Sequence, residues 1–141
     1  MSGDDPVAKV RKFENRQFRT IDLEDGWQVV VGRNATDNDE LSLEKSEPED
    51  LWFHVDGMPG SHALLLHRPG LQPPTAVVEK AAAIAAWYSK GRGSPRVGVG
   101  MTQAAFVSKR RDQPPGEVMV KRQRLLKVVP ELPDTPDARG T

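Results

Sequence analysis

Three side chains that can act in acid–base chemistry or ring stacking lie two residues apart along one short segment: Asp50, Trp52 and His54. If this segment is an extended strand, alternate side chains point to the same face, roughly 7 Å from one another. The three groups then share one face, while the apolar residues between them form a core-facing side. A carboxylate, an indole and an imidazole in a row must either meet water and a ligand or hydrogen-bond to each other in the interior.

Several interpretations of this face stay open from the sequence. In a buried cluster, Asp50 would fix the tautomer of His54. On an exposed platform, Trp52 or His54 would stack on a nucleic-acid base. An RNA-processing or RNA-modifying enzyme that uses Asp50, His54 and His62 as acid–base groups is a further alternative.

We predict neither a metal site nor a cofactor. The chain has no Cys, and the spacings of eight and five residues between His54, His62 and His67 fit no paired-ligand motif on a helix. Ser61 and His62 are neighbours on an expected strand, so their side chains point to opposite faces and do not form a nucleophile–base pair. No phosphate-binding loop, dinucleotide fingerprint or nucleophile elbow occurs.

The hydrophobic pattern predicts an α+β fold, with a mixed, largely antiparallel β-sheet and one main α-helix at about 75–90 packed on a face. We expect a first hairpin around Asp25-Gly26, a short helical turn capped at Asn34, and a helix that ends at a left-handed Gly91. The alternating glycines of a strand at 96–102 would leave one face open to a backbone or a ligand. Residues 1–15 are predicted to form a flexible arm, 16–130 the folded domain and 131–141 a disordered tail.

Charge is divided unevenly along this chain of zero formal net charge. Residues 35–56 hold eight acids and one base, whereas residues 85–127 hold ten bases and two acids. The basic half favours contact with a phosphate backbone, although a solvated basic surface has the same composition. The acidic segment 35–56 gives another alternative, a protein-interaction module that docks a basic ribosomal partner. No long apolar run or secretory signal occurs, so we expect a cytoplasmic protein with no membrane partner.

Four motifs in one order resemble a known family. They are Asp50-x-Trp-Phe-His with Pro59-Gly-Ser-His, Gly32-Arg-Asn with Asn38-Asp-x-Leu, Ala81-Ala through Ser89-Lys, and Pro115-Gly-x-Val. Together they cover roughly residues 16–130 and look like the NFACT-R domain, the RNA-binding module of NFACT proteins. Those proteins act in ribosome quality control, and some bacterial members were once called fibronectin-binding proteins.

The resemblance implies a stand-alone RNA-binding module for structured RNA, tRNA or rRNA, with the large ribosomal subunit as a possible partner. On this basis basic groups would hold phosphates, and the rings and Arg33 would meet a base or a sugar. The best phosphate-contact candidates are in the basic run at 109–111. The predicted RNA-contact residues are Arg33, Asn38, Trp52, His54, Ser61, His62, Lys90, Arg92, Lys109, Arg110, Arg111 and Lys121. No catalytic residue is assigned, and the oligomeric state is left open.

Overall fold

An antiparallel sheet and one long helix make up most of the part of the chain that this computed structural model describes, namely Arg11, Phe13 and residues 17–133. The elements in chain order are β1 (Phe18–Asp22), β2 (Gln28–Gly32), α1 (Ala35–Glu40), β3 (Leu51–Val55), β4 (Ala63–Leu65), α2 (Thr75–Trp87), β5 (Val97–Gln103), β6 (Val107–Ser108), β7 (Met119–Val120) and β8 (Arg124–Val128). Six strands lie in the order β1-β2-β4-β3-β5-β8, and β6 pairs with β7. Each of these pairings is antiparallel.

The helix α2 packs on one face of the six-stranded sheet, which confirms the predicted α+β class. Phe53 and Val55 of β3 are fully buried in the same apolar cluster as the alanine-rich face of α2. Trp52 points the other way and belongs to a second cluster with Val30 and Leu64. Each fully buried aliphatic or aromatic side chain stabilises the fold by roughly 1.5–3 kcal/mol. The strand at 51–55 is therefore central to two cores, one on each face of the sheet.

Local sequence signals explain the first hairpin and the first helix. Asp25 and Gly26 both have positive φ, 57° and 84°, and the strands on either side of them pair in register. A turn of this kind needs residues that tolerate the left-handed region, which Asp-Gly provides. Helix α1 begins after Asn34, whose side chain accepts a hydrogen bond of 2.8 Å from the backbone N–H of Asp37. Both predictions are confirmed.

The predicted end of the long helix is wrong by three residues. The helix stops at Trp87, and the Ser89 hydroxyl donates to the Ala86 carbonyl and accepts from the Gly91 N–H. Gly91 does not have a positive φ. Its role is instead close packing, because a Cβ at this position would lie 2.8 Å from a methyl group of Val97.

The glycine-bearing face of β5 is covered by side chains rather than by a backbone or a ligand, which corrects a second expectation. A Cβ on Gly98 would lie 3.3 Å from the Leu125 side chain of the neighbouring strand, and Gln123 lies over Gly100. Glycine at these two positions of β5 leaves room for the Leu125 and Gln123 side chains.

The ends of the chain lie mostly outside the described residues. Of the predicted arm at 1–15, Arg11 and Phe13 are described, and Phe13 packs edge-on against Phe18 with ring centroids 5.8 Å apart. Of the predicted tail at 131–141, residues 131–133 are described, and Glu131 donates its N–H to the Ala83 carbonyl of α2. Among the described residues, no helix has the length and apolar character to cross a bilayer.

Candidate functional site

A groove of about 1010 Å³ lies where four separate segments of the chain come together around His54. The segments are the start of α1, the turn between β3 and β4, the exit of α2 and the loop between β6 and β7. Their lining residues are Asn34, Ala35, Asn38, Pro59, Gly60, Ser61, Trp87, Tyr88, Ser89, Lys90, Arg92 and 114–117. All four motif sets found in the sequence thus contribute to one concave surface, which is the kind of place where ligands bind.

One wall of the groove forms because the turn before β4 pairs with the exit of α2. The Ser61 N–H donates to the Tyr88 carbonyl at 2.9 Å, and the Lys90 N–H donates to the Pro59 carbonyl at 3.0 Å. This close approach requires a glycine between them, since a Cβ on Gly60 would lie 2.7 Å from the Ser89 Cβ. The pairing brings Ser61 and Lys90, two predicted contact residues, to the same wall.

The opposite wall is the loop at 114–117, which side chains of other segments hold in place. Gly116 has a φ of 86°, its N–H donates to Asp39 at 3.1 Å, and its carbonyl lies 3.2 Å from Nε2 of His62. The Lys109 ammonium donates to the carbonyls of Pro114 and Glu117, both at 2.7 Å, and lies 3.2 Å from an Asp39 carboxylate oxygen.

Beneath the groove, a chain of hydrogen bonds runs from Trp52 to the 114–117 loop. The indole N–H of Trp52 donates to Ser42 Oγ at 2.9 Å, and Ser42 Oγ lies 2.8 Å from Nδ1 of His62. The indole can only donate and the Gly116 carbonyl can only accept, so with a neutral His62 the intervening groups have one arrangement in which every bond is made. Ser42 donates to Nδ1, and neutral His62 donates from Nε2 to Gly116.

The neutral state of His62 agrees with its surroundings. Burial lowers its pKa to about 4, with a smaller contribution from the neighbouring His54. The backbone N–H of His62 donates to Asn38 Oδ1 at 3.1 Å, so Asn38 also serves to hold this strand. Asn38 and His62 are both buried, and their first role in the structure is to support the groove.

The ring of His54 lines the groove and is partly exposed there. It stacks over Trp52 with centroids 6.0 Å apart and meets His62 edge-on at 5.4 Å. Burial lowers the pKa of His54, although a hydrogen bond with the Gly60 backbone acts in the opposite direction. The imidazole is therefore neutral at physiological pH and available for stacking or for hydrogen bonding. Trp52 is only 2% exposed, so its ring supports His54 from below.

The interpretation in which Asp50 orients His54 is wrong. Asp50 is fully buried and accepts two hydrogen bonds of 2.9 Å from the Arg11 guanidinium. It also accepts from the backbone N–H groups of Glu47 and His67, at 2.8 and 2.9 Å. These bonds join Arg11 to the segment before β3, and they saturate the carboxylate with partners that have no part in the groove.

The exit of α2 contributes aromatic rings that the sequence analysis did not select. Arg92 lies 4.3 Å from the Trp87 ring and donates to the Trp87 carbonyl, and Arg19 lies 4.6 Å from the Tyr88 ring. Neither Trp87 nor Tyr88 is among the contact residues predicted from the sequence. The signal that could have identified both is a Trp-Tyr pair directly before Ser-Lys-x-Arg, since rings beside cations are typical of nucleic-acid surfaces.

The remaining predicted contacts lie at or beyond the rim. Arg33 is exposed directly before Asn34. Arg110 and Arg111 are exposed on the β6–β7 loop, where Arg110 pairs with Asp112 at 3.3 Å, and Lys121 is exposed before β8. None of these four is among the residues that line the groove.

Lys109 has a role within the protein, and we predict a stability effect from its removal. Lys109→Met should destabilise the domain by about 1–2 kcal/mol, because two carbonyls and the Asp39 carboxylate lose a charged donor that is 22% exposed. The measurement is the free energy of unfolding in urea. The control is Arg111→Met, which alters an exposed cation of the same loop and should change stability by less than about 0.5 kcal/mol. Equal stability of the two variants would contradict the supporting role of Lys109.

The groove joins segments whose sequence resembles a class of RNA-binding module. A family model described as the NFACT protein RNA binding domain matches residues 15–122. The chain therefore belongs to the family of NFACT RNA-binding domains.

Several known proteins are similar to this chain. The Rqc2 homolog RqcH of Streptococcus pneumoniae is 38% identical over 108 residues, which is 76% of this chain and 19% of that protein. RqcH of Bacillus subtilis is 30% identical over 123 residues, covering 87% of this chain and 21% of the relative. A solved structure of the C-terminal part of the fibronectin/fibrinogen-binding protein of Streptococcus suis superposes with a TM-score of 0.76 at 32% identity. That match covers 92% of this chain and 51% of the other. The chain thus spans about a fifth of the length of these RqcH relatives.

Proposed function

We propose that this chain binds structured RNA, tRNA or rRNA, in the groove, and that it acts in ribosome quality control on the large ribosomal subunit. The observation that carries the proposal is the convergence of four family motifs on one groove whose rim carries Lys90 and Arg92 beside two aromatic rings. Membership of the RNA-binding family supports the general role. The relation to RqcH supports the link to ribosome quality control, and the cytoplasm is the proposed location because translating ribosomes are there.

The chemistry of the groove suits a short unpaired stretch of RNA. The ammonium of Lys90 and the guanidinium of Arg92 are placed to neutralise phosphates. The partly exposed ring of His54 and the rings at the exit of α2 offer surfaces for base stacking. Ser61 lines the same wall and adds a hydroxyl group to it. Arg110 and Arg111, on the β6–β7 loop, remain proposed phosphate contacts outside the groove.

The two alternatives from the sequence receive less support from the arrangement of the side chains. An acid–base set of Asp50, His54 and His62 would need the carboxylate near the rings, but that carboxylate binds Arg11. Many acids of the segment 35–56 already have partners in the domain. Asp39 pairs with Lys109, Glu40 with Lys45, and Glu47 with Arg11 and His67.

Removing the charge at the groove rim should weaken RNA binding. Lys90→Ala is expected to lower affinity for total tRNA or an rRNA fragment about five- to tenfold and to reduce the slope of log affinity against log salt by about one unit. Fluorescence anisotropy titrations at several salt concentrations measure both quantities. A DNA duplex of similar length serves as the comparison ligand.

The matched control is Lys45→Ala, which removes an exposed lysine that lies outside the groove and 3.9 Å from the Glu40 carboxylate. It should leave the affinity and the salt slope unchanged within a factor of two. If Lys90→Ala behaves like this control, the groove is not where phosphates bind. Equal, weak binding of wild-type protein to all three nucleic acids would overturn the proposed function as a whole.

A further inference from the structure

The stretch from Val118 to Pro130, which leads into β8 and contains it, has four cations and no acid. All four are exposed. Arg124 pairs with Met101 in the register and so points to the face that α2 covers, and we call the other three, Lys121, Arg122 and Lys127, the β8 strip. None of them takes part in the ion pairs recorded among the described residues. Positive charges that have no acidic partner within the part of the chain that the structure describes favour an external polyanion.

The β8 strip lies close to the groove but is separate from it. In the sheet register, Gly100 of β5 stands between His54, which lines the groove, and Leu125 of β8. Two strand spacings, roughly 10 Å, separate His54 from Leu125, and Lys127, which pairs with Gly98, points to the same face of the sheet. Between the groove and the strip the side chains of Gln123 and Leu125 lie over Gly100 and Gly98, and both are exposed, Leu125 at 53%. A chain that leaves the groove at His54 therefore passes over the exposed Gln123 and Leu125 side chains before it reaches the strip.

Arg122 shows that one cation of the strip is held in a defined position. It has a φ of 58°, which is uncommon for a long side chain and costs free energy. Its guanidinium carbon lies 4.9 Å from the centre of the Phe106 ring. The contact with the ring holds the guanidinium near Phe106, and a planar fork of donors suits phosphate oxygens. A cation ordered in this way loses less conformational freedom when it binds an anion.

We propose that the β8 strip is a second RNA-contact surface, which binds the phosphate backbone of the same RNA whose unpaired nucleotides occupy the groove. The inference rests on the proposed function, since the groove must hold RNA for the strip to extend it. Two linked contacts on one ligand raise its affinity without any new contact in the groove. The partner class is a stem with a single-stranded extension, in which the extension enters the groove and the stem backbone lies along the strip.

The test compares two double variants that each remove two exposed lysines. Lys121→Gln with Lys127→Gln alters the strip. Lys45→Gln with Lys80→Gln alters lysines that already pair with Glu40 and Glu24. The probes are an RNA stem-loop with a three-nucleotide extension and the trinucleotide of the same sequence. The strip variant should bind the stem-loop about tenfold more weakly, with a salt slope lower by roughly 1.8, and should bind the trinucleotide as wild type does.

Arg122→Gly gives an independent readout that separates binding from folding. Glycine adopts the positive φ without strain, so the free energy of unfolding should stay near the wild-type value while stem-loop affinity falls about fivefold.

The inference is overturned if the strip variant matches the lysine control, or if it loses affinity equally for both probes. In either case, weaker RNA binding by the Lys90→Ala variant would still support the groove as the RNA-binding site. Failure of the wild-type protein to bind either RNA would overturn both proposals.

Discussion

Gly60→Ala should destabilise the domain by roughly 2–3 kcal/mol and lower RNA affinity at least tenfold. The new Cβ would lie 2.7 Å from the Ser89 Cβ and 2.9 Å from a Val55 methyl group, closer than real Cβ atoms approach such neighbours. Overpacking of this kind costs about 1–3 kcal/mol because side chains and backbone must shift. The turn would move away from the exit of α2 and weaken the bonds that Ser61 and Lys90 make across the wall. Urea unfolding and RNA titration measure the two effects.

Gly93→Ala is a well-matched control for this substitution. Gly93 also follows α2 and lacks a positive φ, and a Cβ there would meet nothing within 4 Å. We expect its stability to change by less than about 0.5 kcal/mol and its RNA affinity to stay within a factor of two. If Gly60→Ala were as stable as Gly93→Ala but bound RNA weakly, the effect would be on contact with RNA rather than on the wall. If both variants matched the wild-type protein in both assays, the close approach at Gly60 would be important neither for stability nor for RNA binding.

The second large effect is a loss of stability on mild acidification, caused by His62. Burial lowers the folded-state pKa of His62 from 6.5 to about 4. Between these values the unfolded chain binds a proton that the folded chain does not, so the free energy of unfolding falls as the pH falls. The loss begins near pH 6.5 and is complete near pH 4, where it reaches roughly 3 kcal/mol. Above pH 7 the contribution of His62 to the free energy of unfolding no longer changes with pH.

The variant His62→Gln isolates this contribution from the carboxylates that titrate in the same range. It should be less stable than wild type at pH 7, because the bonds to Ser42 and Gly116 are disturbed. Its stability should nevertheless fall less steeply between pH 6.5 and 4, and the difference between the two curves gives the contribution of His62. The pKa of His54 is lowered too, so His54→Gln should reduce the slope in the same direction. A wild-type slope in His62→Gln would contradict the assignment.

The groove and the pH effect have a common physical origin. Neutral His62 holds the Gly116 carbonyl, and Asp39 holds the Gly116 N–H together with the Lys109 ammonium. The loop at 114–117 therefore keeps its place through buried or half-buried polar groups that are fully paired. Such networks are sensitive to the loss of a single member, because the partners left behind become unsatisfied.

Much of the architecture follows from local patterns in the sequence. Alternation of apolar residues placed Phe53 and Val55 on a core face, Asp25-Gly26 indicated a hairpin, and the run of alanines indicated the helix that packs on the sheet. The order of four motifs indicated the family. These signals are readable because each depends on residues close together in the chain, whose spacing matches the repeat of a strand or a helix.

What only the tertiary structure decided is which polar faces are covered and which segments meet. Alternation shows that Trp52 and His54 share a face, but Leu41, Ala104 and Val107, which join Trp52 in the second core, come from distant segments. Likewise, nothing in a basic run distinguishes Lys109, which binds its own loop, from Arg111, which is exposed. Burial and ion pairing depend on contacts between residues far apart in sequence. The groove is therefore a property of the packed sheet, helix and loops, which no single motif contains.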